Sequence, residues 1–396
     1  MSLLLNFRTS DARLGSGVMP TARLVDYTSS RLRALCYAAR LGEETPKIVQ
    51  TFRNLITPWG DSSLVRTTDW VSDISDDNTP IEFSVAIAGD RVEVRALFEP
   101  QAKEPTLAAH RAVGIEFNER LEREFGANLD RFRAIRELFL PEGMQGQFAV
   151  WSSVVFARGQ APAFKAYLNP LAQGAAHAPE LVREGLARLG LGHTWPSLER
   201  TALRRGPHLD ELKYFALDLA PSAEARVKIY VRHHSATPDD LEVASSAASN
   251  YVEGEAVDFV RAMRGGDARL SARAPFTCSS FVGTQRNHPV STTIYVPVCA
   301  YAQDDAAVLD RVRSYMDERQ MDSSAYESLV WGFANRPLAE GVGMQPWIAL
   351  RRIDAVTRMT IYLASEANRV HEPGTVPAPT EDRSSFLDGH AGAICA

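Results

Sequence analysis

Five short stretches of this chain repeat one chemical step. Lys165 is followed two residues later by Tyr167, and Lys228 by Tyr230. Thr293 precedes Tyr295, Thr360 precedes Tyr362, and Arg95 precedes Leu97 in the same way. Residues two apart on a strand share a face. Each stretch therefore offers a cation or hydroxyl and then an aromatic or apolar group on one side. Residues 225–232 show both faces, with Val227, Ile229 and Val231 on one and Arg226, Lys228, Tyr230 and Arg232 on the other. A single copy is an ordinary sheet face looking at water; five copies call for a common purpose. Cations gathered in one enclosed space repel one another and lose hydration, and no matching set of inward acids is evident on the same strands. The compensation expected is a bound polyanion. Phosphate is the commonest, and Lys and Arg meet it with charge-assisted hydrogen bonds. Tyrosine hydroxyls can donate to its oxygens, while their ring faces can stabilise a cation. A polyanion seat beside aromatic faces suits departure of pyrophosphate from a carbon that becomes cationic. Glu82 adds an acid on an otherwise apolar strand (Ile81, Phe83, Val85), without a nearby sequence partner, where it can serve as hydrogen-bond acceptor or base.

The elements that must position these residues are hairpins. Alternating segments pair at 81–87 with 91–98, 147–157 with 163–168, 212–219 with 226–232, 276–283 with 291–298, and 347–353 with 356–364. The hairpins begin roughly 65 residues apart, which is a supersecondary repeat. Between them the spacing predicts amphipathic helices over 27–54 (broken near Gly42), 106–138, 178–204, 238–264 and 304–334. Thr57-Pro58-Trp59-Gly60 reads as punctuation. Thr237-Pro238-Asp239-Asp240 reads as a helix start, with Thr as N-cap and acids facing the dipole. Ten antiparallel strands are better closed than left with two edges. The expectation is an α+β fold: a ten-stranded antiparallel β-barrel of five β-hairpins, ringed by helices, with the charged faces lining a lumen.

Composition bounds the rest. The 396 residues, 45% apolar and 23% charged, can bury a sizeable core, and one domain over 1–396 is expected. Residues 1–20 are expected to be a loose arm, and the Pro-, Asp- and Ser-rich segment 372–396 a disordered tail. A net charge of −6 argues against general nucleic-acid affinity. Cys36, Cys278, Cys299 and Cys395 have no C-x-x-C spacing and read as free thiols of a reducing cytoplasm. The N-terminal apolar run lacks a basic region before it, so neither a signal peptide nor a membrane span is expected. Cys395 lies in the wrong place for prenylation of the chain itself.

The same residues carry a family resemblance. Asn78-Thr79-Pro80-Ile81-Glu82-Phe83-Ser84, Val94-Arg95 with Glu99-Pro100, Phe164-Lys165-Ala166-Tyr167-Leu168-Asn169-Pro170, Ala225-Arg226-Val227-Lys228-Ile229-Tyr230 and Thr293-Ile294-Tyr295-Val296-Pro297 resemble aromatic prenyltransferases of the dimethylallyltryptophan synthase type. The similarity runs from residue 59 to residue 366. The fold it implies, the ABBA barrel, agrees with the five-hairpin count. The activity implied is transfer of a dimethylallyl group from dimethylallyl diphosphate to the indole of L-tryptophan or a tryptophan-derived compound, by a metal-independent Friedel–Crafts-like alkylation. Arg95, Lys165, Arg226, Lys228 and Thr293 would bind diphosphate. Tyr167, Tyr230, Tyr295 and Tyr362 would shield the allyl cation and touch phosphate oxygens. Glu82 would accept the indole N–H. No metal or other cofactor is implied, and the partners are small molecules, with no nucleic acid or membrane, in a monomer or homodimer.

Two departures from the family pattern are visible. Thr293 stands where relatives tend to offer Gln. The first strand of the second hairpin has no lysine, whereas members that alkylate position 4 carry one there as a base; another benzene-ring carbon or the indole nitrogen is expected instead. Lys213 or Tyr214 is a candidate partner for an amino-acid carboxylate. His233-His234 with Asp239 and Asp240 is not expected to hold a metal, because adjacent strand residues face opposite ways. Asp304, Asp305 and Asp310 have the wrong spacing to chelate a magnesium diphosphate. The alternatives to an indole prenyltransferase are a barrel of the same build with a phenolic acceptor, and a non-catalytic barrel that binds an anion in its lumen.

Overall fold

The computed structural model describes residues 23–64, 70–353 and 356–376. The expected arm at 1–20, Cys395 and most of the 372–396 tail lie outside them. Two helices come first, α1 (Leu24–Ala38) and α2 (Thr45–Gly60). The first hairpin is β1 (Ile81–Ala88) and β2 (Arg91–Phe98), followed by α3 (Leu107–Phe125) and α4 (Asp130–Phe139). The second is β3 (Val150–Ala157) and β4 (Ala163–Leu168), then α5 (Ala178–Arg188) and α6 (Trp195–Arg200). The third is β5 (Asp210–Asp218) and β6 (Val227–His233), then α7 (Pro238–Ser245) and α8 (Glu255–Arg264). The fourth is β7 (Phe276–Phe281) and β8 (Ser291–Val296), then α9 (Asp305–Glu318) and α10 (Ser323–Phe333). The fifth is β9 (Ile348–Ile353) and β10 (Val356–Ala364).

All ten strands pair antiparallel with their sequence neighbours, and β1 pairs with β10 to close the barrel. Closure leaves no strand edge for another chain to join. The outward faces are mostly apolar and covered: Phe83, Val85, Ile229 and Ile361 have no exposed surface. Helices supply the cover through aromatic contacts. Phe52 of α2 and Phe333 of α10 flank Phe83 at 5.8 and 6.2 Å, Phe117 of α3 meets Phe98 at 5.3 Å, and Phe139 of α4 meets Phe215 at 4.9 Å. The hydrophobic core is thus the annulus between sheet and helices, and the lumen is left for polar groups.

Local signals set the helix ends. Thr237 and Asp240 form a reciprocal capping box at α7, as the sequence indicated. Asp304 caps α9 by accepting from the Ala307 N–H at 2.8 Å. The punctuation expected at residues 57–60 is not there, because α2 runs through Gly60 with Pro58 inside it. A proline there leaves the carbonyl four residues earlier without its helical donor. That carbonyl, Asn54 O, accepts instead from Arg120 Nη2 at 2.6 Å, so the last turn survives.

One glycine fixes how closely a helix approaches the barrel. A Cβ built on Gly114 of α3 would lie 2.2 Å from Val150 Cγ1, at the start of β3. Gly114→Ala is expected to lower unfolding stability by about 1–3 kcal/mol through overpacking, measured as a fall in thermal midpoint with the far-UV spectrum unchanged.

The described turns, those of the first four hairpins, gather at one end of the barrel, and the connections that lead through the helices gather at the other. Arg95 pairs in register with Ser84, near the turn end, while Leu97 pairs with Glu82 nearer the other. The period of two therefore sorts the lumen along each strand: cations toward the turns, the tyrosines and Leu97 one step further, and Glu82 level with Leu97.

Candidate active site

The lower chamber, at the turn end, is a cavity of about 70 Å³. The first member of every repeated step lines it: Arg95, Lys165, Lys228, Thr293 and Thr360. Arg226, Arg351 and Arg358 join them. Two acids also face inward, short of a set that would match the cations. Asp218 accepts from Arg226 Nε at 2.6 Å and Lys228 Nζ at 3.0 Å. Glu93 accepts from Arg95 at 2.7 Å and from Arg358. Both signals lay in the sequence, since Glu93 is two residues before Arg95 and Asp218 is two after Ala216 on the inward face. Six cations still stand against two carboxylates, so a polyanion remains the missing counter-charge.

The unpaired donors show where it would sit. Lys165 makes no hydrogen bond or ion pair with the described residues, although only 7% of it is exposed. The buried Nε atoms of Arg95 and Arg351 and the Ser280 hydroxyl also lack partners. Burial first, then the neighbouring Lys228 and Arg95, pushes the Lys165 ammonium well below the usual lysine range. Burial also lowers Lys228, against the attraction of Asp218, to about 8. An anion bound here would restore both charges and take up protons as it binds.

Asp218 organises this floor. Burial alone would raise its carboxyl; Lys228, Arg226 and Lys165 outweigh that and hold it far below the usual carboxylate range. A depressed folded-state value contributes stability above the unfolded value and loses it as pH falls. Asp218→Asn is expected to cost about 3 kcal/mol at neutral pH by leaving buried cations unpaired. In urea titrations the difference from wild type should shrink below about pH 4.

The second member of every repeated step forms a collar. Leu97, Tyr167, Tyr230, Tyr295 and Tyr362 line both the lower chamber and a larger cavity above it. The tyrosine rings follow one another at 6.0, 5.8 and 5.9 Å between centroids. Burial raises all four phenols above their ordinary range, so they stay neutral and keep their protons to donate.

The upper chamber measures about 300 Å³. Its wall is aromatic: Trp151, Tyr214, Phe276 and Trp347 succeed one another at 5.2, 6.0 and 5.1 Å. Glu82 lines this chamber beside the collar, 6% exposed and with no hydrogen bond to the described residues. Burial first, then Asp76, raises its carboxyl well above the usual range, and Arg273 eases the effect. Asp76 receives both Nη atoms of Arg273 at 2.6 and 2.7 Å, and the guanidinium lies over Trp347 at 4.5 Å. Asp73, Arg232 and His234 complete the polar groups of the mouth.

The structure brings every candidate named from the sequence to these two chambers except Lys213. Lys213 falls at a register shift between Leu212 and Tyr214, outside the lining of either chamber, and bonds to Asp73 and Gln147, each at 3.3 Å. Tyr214 does line the upper chamber. His233 is buried between Asp210 and Thr277, whereas His234 meets Glu211. Among the described residues no group of three or more His, Cys, Asp or Glu is placed to hold a metal ion. Asp305 is occupied with Arg336 and with the N–H groups of Met344 and Gln345. Cys36, Cys278 and Cys299 are free and buried, and no helix of the described residues is long and apolar enough to cross a membrane.

Several residues of the two chambers were not among the candidates drawn from the sequence. Arg358 could have been, because stepping back by twos from Tyr362 gives Thr360 and then Arg358. Arg351 sits opposite Arg358 in register. Asp76 and Arg273 could not have been paired by any local pattern, being 197 residues apart on two connections.

Comparison with known proteins agrees with this geometry. The profile of the tryptophan dimethylallyltransferase family matches residues 43–247. A 6-dimethylallyltryptophan synthase from Micromonospora olivasterospora, solved with DMASPP and Trp, is 32% identical, with a TM-score of 0.83 over 89% of this chain and 100% of that one. PriB, solved with product diphosphate, is 31% identical, with a TM-score of 0.82 over 90% and 100% of the two chains. A 5-dimethylallyl tryptophan synthase from Streptomyces coelicolor, solved with DMASPP and Trp, is 29% identical, with a TM-score of 0.81 over 90% and 98%.

Proposed function

The chain belongs to the tryptophan dimethylallyltransferase family and is an aromatic prenyltransferase; from that premise we propose that it prenylates L-tryptophan from dimethylallyl diphosphate, at a ring atom other than C4, without a metal. The observation that carries this reading is the collar shared by the two chambers. A diphosphate held by Arg95, Lys165, Arg226, Lys228, Arg351 and Arg358, with Thr293 as a further donor, would direct its allyl carbon up into the ring of Tyr167, Tyr230, Tyr295 and Tyr362.

The C–O bond to the diphosphate breaks there, and pyrophosphate keeps the electron pair. Protein cations and phenol donors fixed in place stabilise the departing charge without reorganising, which is the part a magnesium ion plays elsewhere. The tyrosine faces shield the allyl cation from water. An indole against Trp151, Tyr214, Phe276 and Trp347 supplies the π pair that forms the new C–C bond, or at N1 the new C–N bond with the N–H proton passing to Glu82. Glu82 accepts the indole N–H and so strengthens the ring as nucleophile. The alkylated carbon then loses its proton to pyrophosphate, restoring the aromatic ring.

Two features support the acceptor and its position. Charged groups of both signs ring the mouth, with Arg232 and Arg273 facing the cavity alongside Asp73 and Asp76. They suit the carboxylate and ammonium of a free amino acid better than a neutral cyclic dipeptide. The strand β3 presents Trp151 and Ser153 inward and carries no lysine, and the relatives named for positions 5 and 6 share this fold at 29–32% identity. The test is incubation of the protein with L-tryptophan and dimethylallyl diphosphate in EDTA, read by mass spectrometry and NMR. A tryptophan heavier by one isoprene unit, substituted at C5, C6, C7 or N1, is expected. Substitution at C4, or turnover only when a divalent metal is added, would contradict the proposal.

A further inference from the structure

The lower chamber has a second boundary, facing away from the collar. An outer cavity of about 560 Å³ opens between the β5–β6 turn at Ala223 and the β7–β8 connection at Gln285 and Arg286. Arg226 and Arg351 line this outer cavity and the lower chamber alike. They are to the turn end what the tyrosine collar is to the other: the residues two adjoining cavities have in common. Exposure rises toward that side, since the Arg226 side chain is 25% exposed and that of Lys228, which shares Asp218 with it, is 8% exposed. The outer cavity is basic. Arg226, Arg351 and Arg286 stand against the single acid Glu224, and the Arg286 guanidinium bonds to the neutral Ser249 hydroxyl at 3.3 Å.

The route upward is different in kind. After alkylation a bulkier acceptor fills the aromatic chamber, the collar rings are in contact, and Glu82, Asp76 and Asp73 lie above them. A multiply charged anion leaving that way would pass apolar walls and a mouth where Asp73 and Asp76 offset Arg232 and Arg273, whereas the outer cavity holds three arginines against one acid. We propose that pyrophosphate leaves through the turn end of the barrel, past an Arg226–Arg351 gate and out along Arg286, while the acceptor and its product use the opposite mouth. This rests on the reading of the lower chamber as the diphosphate seat. Two mouths would let the charged product depart without waiting for the prenylated one.

The test follows inorganic pyrophosphate leaving the preloaded enzyme, with excess pyrophosphatase and a phosphate sensor to report each molecule released. Ala223→Trp and Gln285→Trp place bulk in the outer cavity from opposite walls, at exposed positions. Ser271, exposed on the connection before β7, lines the upper chamber, and Ser271→Trp places bulk at that acceptor mouth. Release is expected to slow by about tenfold or more in the first two and to stay at the wild-type rate in the third. Calorimetric affinity for pyrophosphate should be unchanged in all three, as befits a gate that slows entry and exit equally. Wild-type release from both outer-cavity variants, or slowing by Ser271→Trp, would overturn the proposal while leaving the seat intact. Failure of the wild-type protein to bind pyrophosphate would overturn the seat itself, and the gate with it.

Discussion

Glu82→Gln is expected to lower kcat by about 100-fold and to leave the KM for dimethylallyl diphosphate close to wild type. The split follows from height in the barrel: Glu82 lines the upper chamber only, while the cations line the lower one. Glutamine keeps the shape and an acceptor oxygen but loses the negative charge that would strengthen as the indole becomes cationic. The pH profile should change as well. Burial, reinforced by Asp76, raises the Glu82 carboxyl, so the charged acceptor appears in the free enzyme only as pH climbs through that raised value. Wild-type kcat/KM for the acceptor should therefore rise with pH, and the variant should lose this limb. Stability moves in the other direction. Between the unfolded and the raised folded value the native state binds more protons than the unfolded state, so stability falls as pH rises. Glu82→Gln removes that loss, and its thermal midpoint should exceed wild type at neutral pH and converge with it below about pH 4. An unchanged kcat would remove Glu82 from the chemistry.

Lys165→Met should act on the other substrate. Its ammonium is a buried group of the lower chamber that no described residue pairs, so the ligand is what satisfies it. Loss of one charge-assisted bond to the diphosphate should reduce kcat/KM for dimethylallyl diphosphate by about 30- to 150-fold, ~2–3 kcal/mol. The empty protein should nevertheless become more stable. Burial, Lys228 and Arg95 lower the folded-state value of this lysine. The cost of burying this amine, in charge held or proton given up, is thus present at neutral pH, declines as pH rises and is gone above about pH 10, where the unfolded chain also loses the proton. A variant both slower and more heat-resistant separates binding of an anion from a structural role. A variant that is less stable and equally active would mean that Lys165 serves the fold.

Much of this was legible because a barrel strand reports its geometry directly in the sequence. A period of two fixes which residues share the lumen, and repetition at a constant interval fixes how many strands contribute. Lys165/Tyr167 and Lys228/Tyr230 could be assigned to one lumen before any distance was known. The same rule reached Arg358 and Glu93, had it been carried one step further along β10 and β2. It fails at irregularities. Lys213 falls at the register shift of β5 and reaches the upper chamber only through Asp73, and no composition signal marks that shift. Pattern fails again on connections, where Asp76 meets Arg273 and the mouth of the upper chamber is built. Such contacts depend on how the loops pack over the barrel end, which periodicity does not encode. The helix through Pro58 shows a third limit: a distant side chain, Arg120, supplied the hydrogen bond whose loss would otherwise have ended it.

The division of the lumen is the central claim, and a crystal structure with dimethylallyl thiolodiphosphate and L-tryptophan tests it most directly. The diphosphate should lie within hydrogen-bond reach of Arg95, Lys165, Arg226, Lys228 and Arg351. The allyl carbon should stand at the level of Tyr167, Tyr230, Tyr295 and Tyr362, and the indole N–H should point at Glu82. A diphosphate above the collar, or an indole whose nitrogen faces away from Glu82, would contradict the account.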